Sequence, residues 1–163
     1  MKKTISSLVY VFLIIASTSV AQGQKGDFSG MWKLYRTKSN AQTDWPVLVR
    51  IRIDFKGDTL LTERFYDTGD GQEYPFTEKL SLDNKEYSMI IYDMPRKIKA
   101  SFSDQETLLN FESTTTFNGS AGAEDFISKE TWKVDKAAGV LTIGFNNKLT
   151  AGEFTGAFVF TKE

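Results

Sequence analysis

The chain has 163 residues, of which 40% are hydrophobic and 25% charged, and its formal net charge is -1. This composition is typical of a folded domain, and it lacks the excess of basic residues that binds a nucleic-acid backbone. Cysteine and histidine are both absent, which excludes disulfides, thiolate and imidazole catalysis, histidine-ligated haem and the common zinc sites. We therefore expect a non-enzymatic protein without a cofactor, a metal site or a nucleic-acid partner, although chemistry based on carboxylates alone stays open.

The N-terminal residues have the layout of a secretory signal peptide. Lys2 and Lys3 precede a mostly apolar run over residues 8–16, and a stretch of small residues then ends at Ala21. A retained membrane anchor is the alternative, but the apolar run is much shorter than the ~20 residues that span a bilayer. We predict a signal peptide over residues 1–21, cleaved near Ala21. The remaining residues, 22–163, are predicted to form one domain without a membrane span, soluble in the periplasm or outside the cell.

Apolar and polar residues alternate with a period of two through most of residues 28–161, which is the pattern of half-buried β-strands. Turn-forming clusters such as residues 56–58 and 118–119 separate the alternating segments, residues 38–46 form a polar linker, and Met94-Pro95 is predicted to break the chain. The pattern predicts ten strands, at residues 28–35, 47–55, 59–66, from after 71 to about 82, 86–93, 96–103, 107–117, 124–135, 140–146 and 153–161.

The short turns between these strands indicate how the sheet is arranged. Successive hairpins tend to close into a barrel, because closure removes the unpaired edges of the sheet. We therefore predict an all-β fold, a single antiparallel up-and-down β-barrel of about 8–10 strands. A two-sheet sandwich is the alternative, and the lack of long crossover connections favours the barrel.

Both ends of the predicted domain resemble those of lipocalins and fatty-acid-binding proteins. Residues 28–34, FSGMWKL, contain the Gly-x-Trp that opens the first strand of both families, and residues 158–163, FVFTKE, look like the final strand of a fatty-acid-binding protein. With the late Glu-x-Trp at residues 130–132, the chain is similar to small exported bacterial lipocalin-like proteins of the calycin superfamily. The resemblance implies a structural plug at one end of the barrel, formed by Gly30 and Trp32.

The sequence also departs from these families. Fatty-acid-binding proteins hold the ligand carboxylate with an Arg-x-Tyr on the last strand, and the matching positions here are Phe158 and Phe160. The helical pair that covers the cavity in that family has no room, since only residues 38–46 separate the first two strands. The usual haem-binding barrel is excluded because the chain has no histidine.

Alternation places two charges among the apolar residues of the lumen. Glu130 shares a face with Trp132, and the third strand turns either Glu63 or Arg64 inward. Because a buried charge needs a partner, we predict that Glu130 pairs with Arg64. Such a pair fixes the strand register, lies at the wet rim, orients the polar head of a ligand, or acts as a carboxylate base. The residues predicted to line the lumen and contact a ligand are Arg64, Phe102, Phe111, Glu130, Trp132, Phe158 and Phe160.

Two functions remain open at this stage. The first is an exported lipocalin-like barrel that binds a small apolar or amphipathic molecule without catalysis. The alternative is a protein-interaction barrel with a filled core, such as an envelope-stress factor or an inhibitor of an extracellular enzyme. A barrel of about eight strands is at the size where side chains can fill the interior. A continuous cavity of ~300 Å³ or more therefore favours the first function.

Overall fold

The computed structural model describes residues 27–41, 46–103, 107–119 and 122–163. The predicted signal peptide over residues 1–21 lies outside the described residues. Within the described ranges, no helix is both long enough and apolar enough to cross a membrane.

Ten antiparallel β-strands form the structure, which confirms the predicted all-β class. A 3₁₀ turn at Arg36–Lys38 lies at the start of the predicted linker. The strands lie close to their predicted positions: β1 (Gly30–Leu34), β2 (Val47–Lys56), β3 (Thr59–Asp67), β4 (Glu73–Ser81), β5 (Tyr87–Ile91), β6 (Met94–Phe102), β7 (Leu109–Gly119), β8 (Gly122–Asp135), β9 (Val140–Leu149) and β10 (Gly152–Lys162).

A single sheet contains all ten strands in the order β4-β3-β2-β1-β10-β9-β8-β7-β6-β5. The pairing of β1 with β10, with Trp32 opposite Lys162, brings the two ends of the domain together. The edge strands are β4 and β5, and no ladder among the described residues joins them. The result is a nearly closed up-and-down barrel, as predicted, rather than a two-sheet sandwich.

The turn between β5 and β6 corrects one prediction. Met94 and Pro95 do not break the chain but begin β6, where Pro95 lies opposite Ile90. The chain reverses instead at Tyr92 and Asp93, whose φ angles are 46° and 64°. A two-residue hairpin turn of type I′ requires positive φ at both central positions. The proline is tolerated because it lies near the start of its strand.

The barrel interior divides into a packed half and a hollow half. The hollow half lies toward the β5–β6 turn and contains two cavities. The packed half lies toward the β2–β3 turn, where buried apolar side chains fill the lumen: Phe28, Trp32, Ile51, Ile53, Leu60, Leu80, Ile98, Ala100, Leu109, Phe111, Trp132, Leu141, Ile143 and Phe160.

Gly30 and Trp32 both lie in the packed half. The indole of Trp32 is 1% exposed, and its Nε1 donates a hydrogen bond of 2.8 Å to the carbonyl oxygen of Phe28. The Nζ of Lys162 lies 5.3 Å from the centroid of the Trp32 ring. Gly30 has a φ of 126°, and a Cβ at this position would lie 2.9 Å from Cε of Lys162. Because Cε belongs to the flexible end of a lysine side chain, the positive φ of Gly30 is what requires a residue without a side chain.

Candidate functional site

Four charged side chains cross the barrel between the packed and hollow halves. They are Arg64 on β3, Glu78 on β4, Arg96 on β6 and Glu130 on β8. Each faces inward because it occupies an inward position in the alternation of its strand. Ion pairs link them in the order Glu130, Arg64, Glu78 and Arg96. We call these four residues the charged layer, and its two positive and two negative charges balance.

Arg64 and Glu130 form the strongest link of the charged layer. Arg64 Nη1 and Nη2 donate to the two carboxylate oxygens of Glu130, each at 3.0 Å, so the pair is bidentate. The indole Nε1 of Trp132 donates to the same carboxylate at 2.7 Å. The Cζ of Arg64 also lies 5.1 Å from the Trp132 ring centroid. The pair predicted from the sequence is therefore present.

The surroundings of this pair keep both groups charged. Burial alone would raise the pKa of Glu130, but the charge of Arg64 and hydrogen bonds from Arg64 and Trp132 hold it below its usual range. Burial alone would lower the pKa of Arg64, but the carboxylates of Glu130 and Glu78 outweigh this and raise it well above its ordinary value. Glu130 is thus an ionised acceptor that is already engaged.

Glu78 and Arg96 complete the charged layer and were not identified from the sequence. Glu78 is 1% exposed, and its Oε2 lies 3.2 Å from Nε of Arg64 and accepts a 3.5 Å hydrogen bond from Thr62. Its other oxygen, Oε1, lies 3.2 Å from Nη2 of Arg96. The alternation of β6 would have identified Arg96 as an inward residue, because it lies two residues before Ile98 and shares its strand face.

A first cavity, the lumen cavity, lies next to the charged layer and has a volume of about 520 Å³. Three members of the layer, Arg64, Arg96 and Glu130, form part of its wall, and Ser128 and Asn147 add further polar groups. The remaining wall consists mainly of apolar and aromatic side chains: Pro46, Leu48, Tyr66, Phe126, Ile143, Phe145, Leu149, Phe154 and Phe158. Small-molecule sites commonly combine such a wall with a few polar groups in volumes of about 300–1,000 Å³.

A second cavity, the gap cavity, has a volume of about 600 Å³ and lies where the edge strands β4 and β5 approach each other. It shares Pro46, Tyr66, Arg96, Phe126 and Leu149 with the lumen cavity, so the two cavities have a common wall. Its other lining residues are Thr68, Tyr74, Phe76, Ile91, Tyr92, Met94, Thr115 and Phe117. Arg96 is the charged residue common to both cavities.

Three buried polar atoms on residues that line the cavities have no hydrogen-bond partner among the described residues. They are Nε of Arg64, Nε of Arg96 and Oδ1 of Asn147. Buried polar atoms are rarely left in this state, because an unmade hydrogen bond costs free energy. Arg64 differs from Arg96, since its two terminal nitrogens both bind Glu130 and its Nε lies 3.2 Å from Oε2 of Glu78. Arg96 therefore has hydrogen-bonding capacity that the described residues do not use, whereas carboxylates surround the Arg64 guanidinium.

The seven residues predicted to contact a ligand are divided between the two halves of the barrel. Arg64, Glu130 and Phe158 line the lumen cavity. The other four pack in the core or against it, and none of them is among the described residues that line the two cavities: Phe102, Phe111, Trp132 and Phe160. Arg64, Glu130 and Phe158 are thus the predicted contact residues that line a cavity. Within the described ranges, no group of three or more acidic side chains is placed to hold a metal ion.

Comparison with known proteins finds a similarity in structure but none in sequence. No protein-family model matches the chain, and no curated protein sequence matches it. The structure is similar to that of an abundant heat soluble (SAHS) protein of Ramazzottius varieornatus, with a TM-score of 0.53 and 15% sequence identity. The match covers 84% of this chain and 96% of that chain. The fold is lipocalin-like. At this sequence identity the similarity shows the fold alone and does not indicate a function.

Proposed function

We propose that this lipocalin-like barrel is exported and binds a small amphipathic molecule without catalysis. The apolar part of the ligand lies among the aromatic side chains of the lumen cavity, and its polar head accepts a hydrogen bond from Arg96. The single observation that supports this most is that Arg96 lines the cavity and that its buried Nε has no hydrogen-bond partner among the described residues. Export rests on the signal-peptide pattern of residues 1–21.

The distribution of charge favours Arg96 over Arg64 as the contact for the head group. Glu130 engages Arg64 through both of its oxygens, and Glu78 approaches it as well. Among the described residues, Arg96 forms one ion pair, of 3.2 Å to Glu78, a carboxylate that it shares with Arg64. Its positive charge is therefore the less compensated of the two, and an acceptor or anionic head group is attracted to it.

The state of the carboxylates favours binding over catalysis. A general base needs a pKa near the working pH and access to the proton that it removes. Glu130 has a lowered pKa, and Arg64 and Trp132 occupy both of its oxygens. Glu78 is buried and contacts two guanidinium groups. Both carboxylates thus hold the arginines in place and are poorly suited to attack or proton transfer.

A fluorescence titration with anilinonaphthalene sulfonate, an apolar ring system with one anionic group, tests the proposal. We expect saturable binding to the purified protein, and an affinity about tenfold or more weaker for Arg96→Met, since hydrogen bonds to charged groups contribute about 1.5–3 kcal/mol. Arg52→Met is the matched control, because Arg52 is exposed and pairs with Glu63 on the outer face. Arg96→Lys, which keeps the charge, is expected to retain part of the affinity.

Each outcome of that titration bears on the proposal. Equal affinities for Arg96→Met and Arg52→Met would place the probe outside the lumen cavity and contradict the proposed head-group contact. A folded wild-type protein that binds neither this probe nor any alkyl carboxylate would overturn ligand binding altogether. Chemical denaturation of each variant, measured in parallel, separates lost binding from lost folding.

A further inference from the structure

The opening between β4 and β5 is bridged by one aromatic side chain. The hydroxyl of Tyr92 donates a hydrogen bond of 3.3 Å to the carbonyl oxygen of Pro75 on β4. The centroids of the Tyr92 and Phe76 rings lie 6.2 Å apart. These contacts join the tip of the β5–β6 hairpin to the opposite edge strand where no backbone ladder does so among the described residues. Tyr92 also lines the gap cavity.

The backbone conformation of Tyr92 indicates that the structure around the turn holds this residue in place. Its φ of 46° lies in the left-handed region, which a tyrosine rarely adopts and which asparagine, aspartate and glycine accept more readily. Its side chain is also 63% exposed, so burial does not account for an aromatic residue at this turn. The contacts across the gap, and the wall that the ring provides for the cavity, are what the side chain contributes.

The gap cavity differs from the lumen cavity in its chemistry. Among the described residues that line the gap cavity, Arg96 is the single charged one. Most of the wall consists of aromatic and aliphatic side chains such as Phe76, Phe117 and Met94. A space of about 600 Å³ with such a wall suits an apolar group and offers few partners to a polar one. The gap cavity lies directly beside the lumen cavity, with which it shares the lining residues Arg96, Tyr66 and Phe126.

We infer that the gap cavity is a second, apolar subsite that takes the far end of an unbranched hydrocarbon chain, with Tyr92 as its outer wall. This inference rests on the proposed function, since the head of the same ligand contacts Arg96. A flexible chain passes from one cavity into the other along their shared wall, whereas a compact rigid ring system occupies one of them. Residues of the gap, rather than of the lumen, then set the longest chain that binds well.

A chain-length series of alkyl carboxylates with 8, 12 and 16 carbons, titrated by calorimetry, tests this subsite. Because each buried methylene adds to the favourable transfer free energy, wild-type affinity is expected to rise by about tenfold or more from the shortest chain to the longest. Met94→Trp fills part of the gap cavity and is expected to abolish this gain, so that the 8-carbon and 16-carbon chains bind with similar affinities. Ile91→Trp, at a second lining position, is expected to act in the same way.

Ile90→Trp is the matched control, since Ile90 neighbours Ile91 on the same strand but is 68% exposed and is absent from the described lining of the gap cavity. A length gain that persists in both Met94→Trp and Ile91→Trp would overturn the subsite. The subsite would also be overturned if the wild-type protein bound the 8-carbon chain but its affinity did not rise with chain length. A dimer in sedimentation whose interface covers Tyr92 would overturn it as well. If no chain binds the folded wild-type protein, the proposed function itself is overturned together with the subsite.

Discussion

The guanidinium of Arg64 and the carboxylate of Glu130 meet through two hydrogen bonds of 3.0 Å, although 66 residues separate them in the sequence. The pair joins β3 to β8 across the middle of the lumen, at the boundary between the packed and hollow halves. Two buried charges cost much desolvation free energy, so the geometry must be good for the pair to persist. This pair and its neighbours Glu78 and Arg96 separate the packed half of the barrel from the hollow half.

Removing one partner of this pair is expected to destabilise the fold strongly. Arg64→Met leaves Glu130 without its guanidinium in a largely buried site, which typically costs about 3–5 kcal/mol. Urea denaturation measures the change in the free energy of unfolding. Glu63→Gln is the control, because the adjacent Arg52–Glu63 pair is largely exposed and such pairs contribute about 0–1 kcal/mol. Similar losses in the free energy of unfolding for the two variants would show that the Arg64–Glu130 pair contributes no more than the Arg52–Glu63 pair.

Stability is expected to fall in acid through Glu130. Its pKa in the folded state lies below the ordinary value of about 4.3, so in the window between these two values the unfolded chain binds more protons. The contribution of the ionised carboxylate is therefore fully present above pH ~4.3 and is lost as the pH falls through the lowered pKa. Urea midpoints measured from pH 7 to pH 3 test this. Glu130→Gln should have a shallower decline than wild type, and a parallel decline would refute the assignment.

Alkaline stability depends on Tyr66, which lines both cavities. Burial raises the pKa of its hydroxyl above the ordinary value, while the charge of Arg64 opposes this shift. Stability from the neutral hydroxyl is thus fully present below pH ~10 and is lost as the pH rises toward the raised pKa. Absorbance at the tyrosinate band, compared between wild type and Tyr66→Phe, gives the titration of this residue. A midpoint at or below that of the exposed tyrosines would contradict the burial argument.

Gly30 is expected to tolerate no side chain. Its φ of 126° is a conformation that L-residues rarely adopt, and such strain costs about 1–3 kcal/mol. Gly144→Ala is the control, since its Cβ would meet Thr131 O at an ordinary 3.8 Å. Thermal unfolding is expected to show a clear loss for Gly30→Ala and little change for Gly144→Ala. The additional substitution Lys162→Ala should not rescue Gly30→Ala, because the strain arises in the backbone.

Tyr92 is expected to slow ligand exchange at the gap. Tyr92→Asn keeps the left-handed turn, which asparagine accepts, but removes the ring from Phe76 and the hydroxyl from Pro75. We expect a several-fold faster dissociation of a 16-carbon chain in stopped-flow measurements, with little change in protein stability. Tyr92→Phe removes the hydrogen bond alone and should give an intermediate rate. Unchanged rates in both variants would show that Tyr92 does not limit exchange.

The strands could be predicted because their alternation is a local property of the sequence. The Arg64–Glu130 pair followed from the same alternation together with the need of a buried charge for a partner. Arg96 was missed because it stands beside Lys97 and close to Lys99, a cluster that resembles a solvated face. Its parity with Ile98, which points inward, was the available signal. The turn at Tyr92 escaped prediction because tyrosine is rare at positive φ.

Which half of the barrel is hollow is not a local property. Phe111 and Phe158 are both aromatic residues on inward strand faces, yet Phe111 packs in the core and Phe158 lines the lumen cavity. The difference depends on the register in which each strand pairs with its neighbours and on the side chains that lie opposite each phenylalanine. Phe111, for example, has its ring centroid 4.5 Å from that of Trp132. Cavities arise from these long-range registers, which periodicity alone does not determine.

The proposed contact between Arg96 and the head group of a ligand is tested most directly by nuclear magnetic resonance of arginine side chains. With a 12-carbon alkyl carboxylate added to the isotope-labelled protein, the Nε–H resonance of Arg96 is expected to shift and saturate with the ligand. The Nε–H resonance of Arg64, whose terminal nitrogens bind Glu130, is expected to move much less. A saturable shift of the Arg96 resonance, assigned by its absence from the spectrum of Arg96→Lys, would support the contact. Binding that leaves the Arg96 resonance unmoved would contradict it.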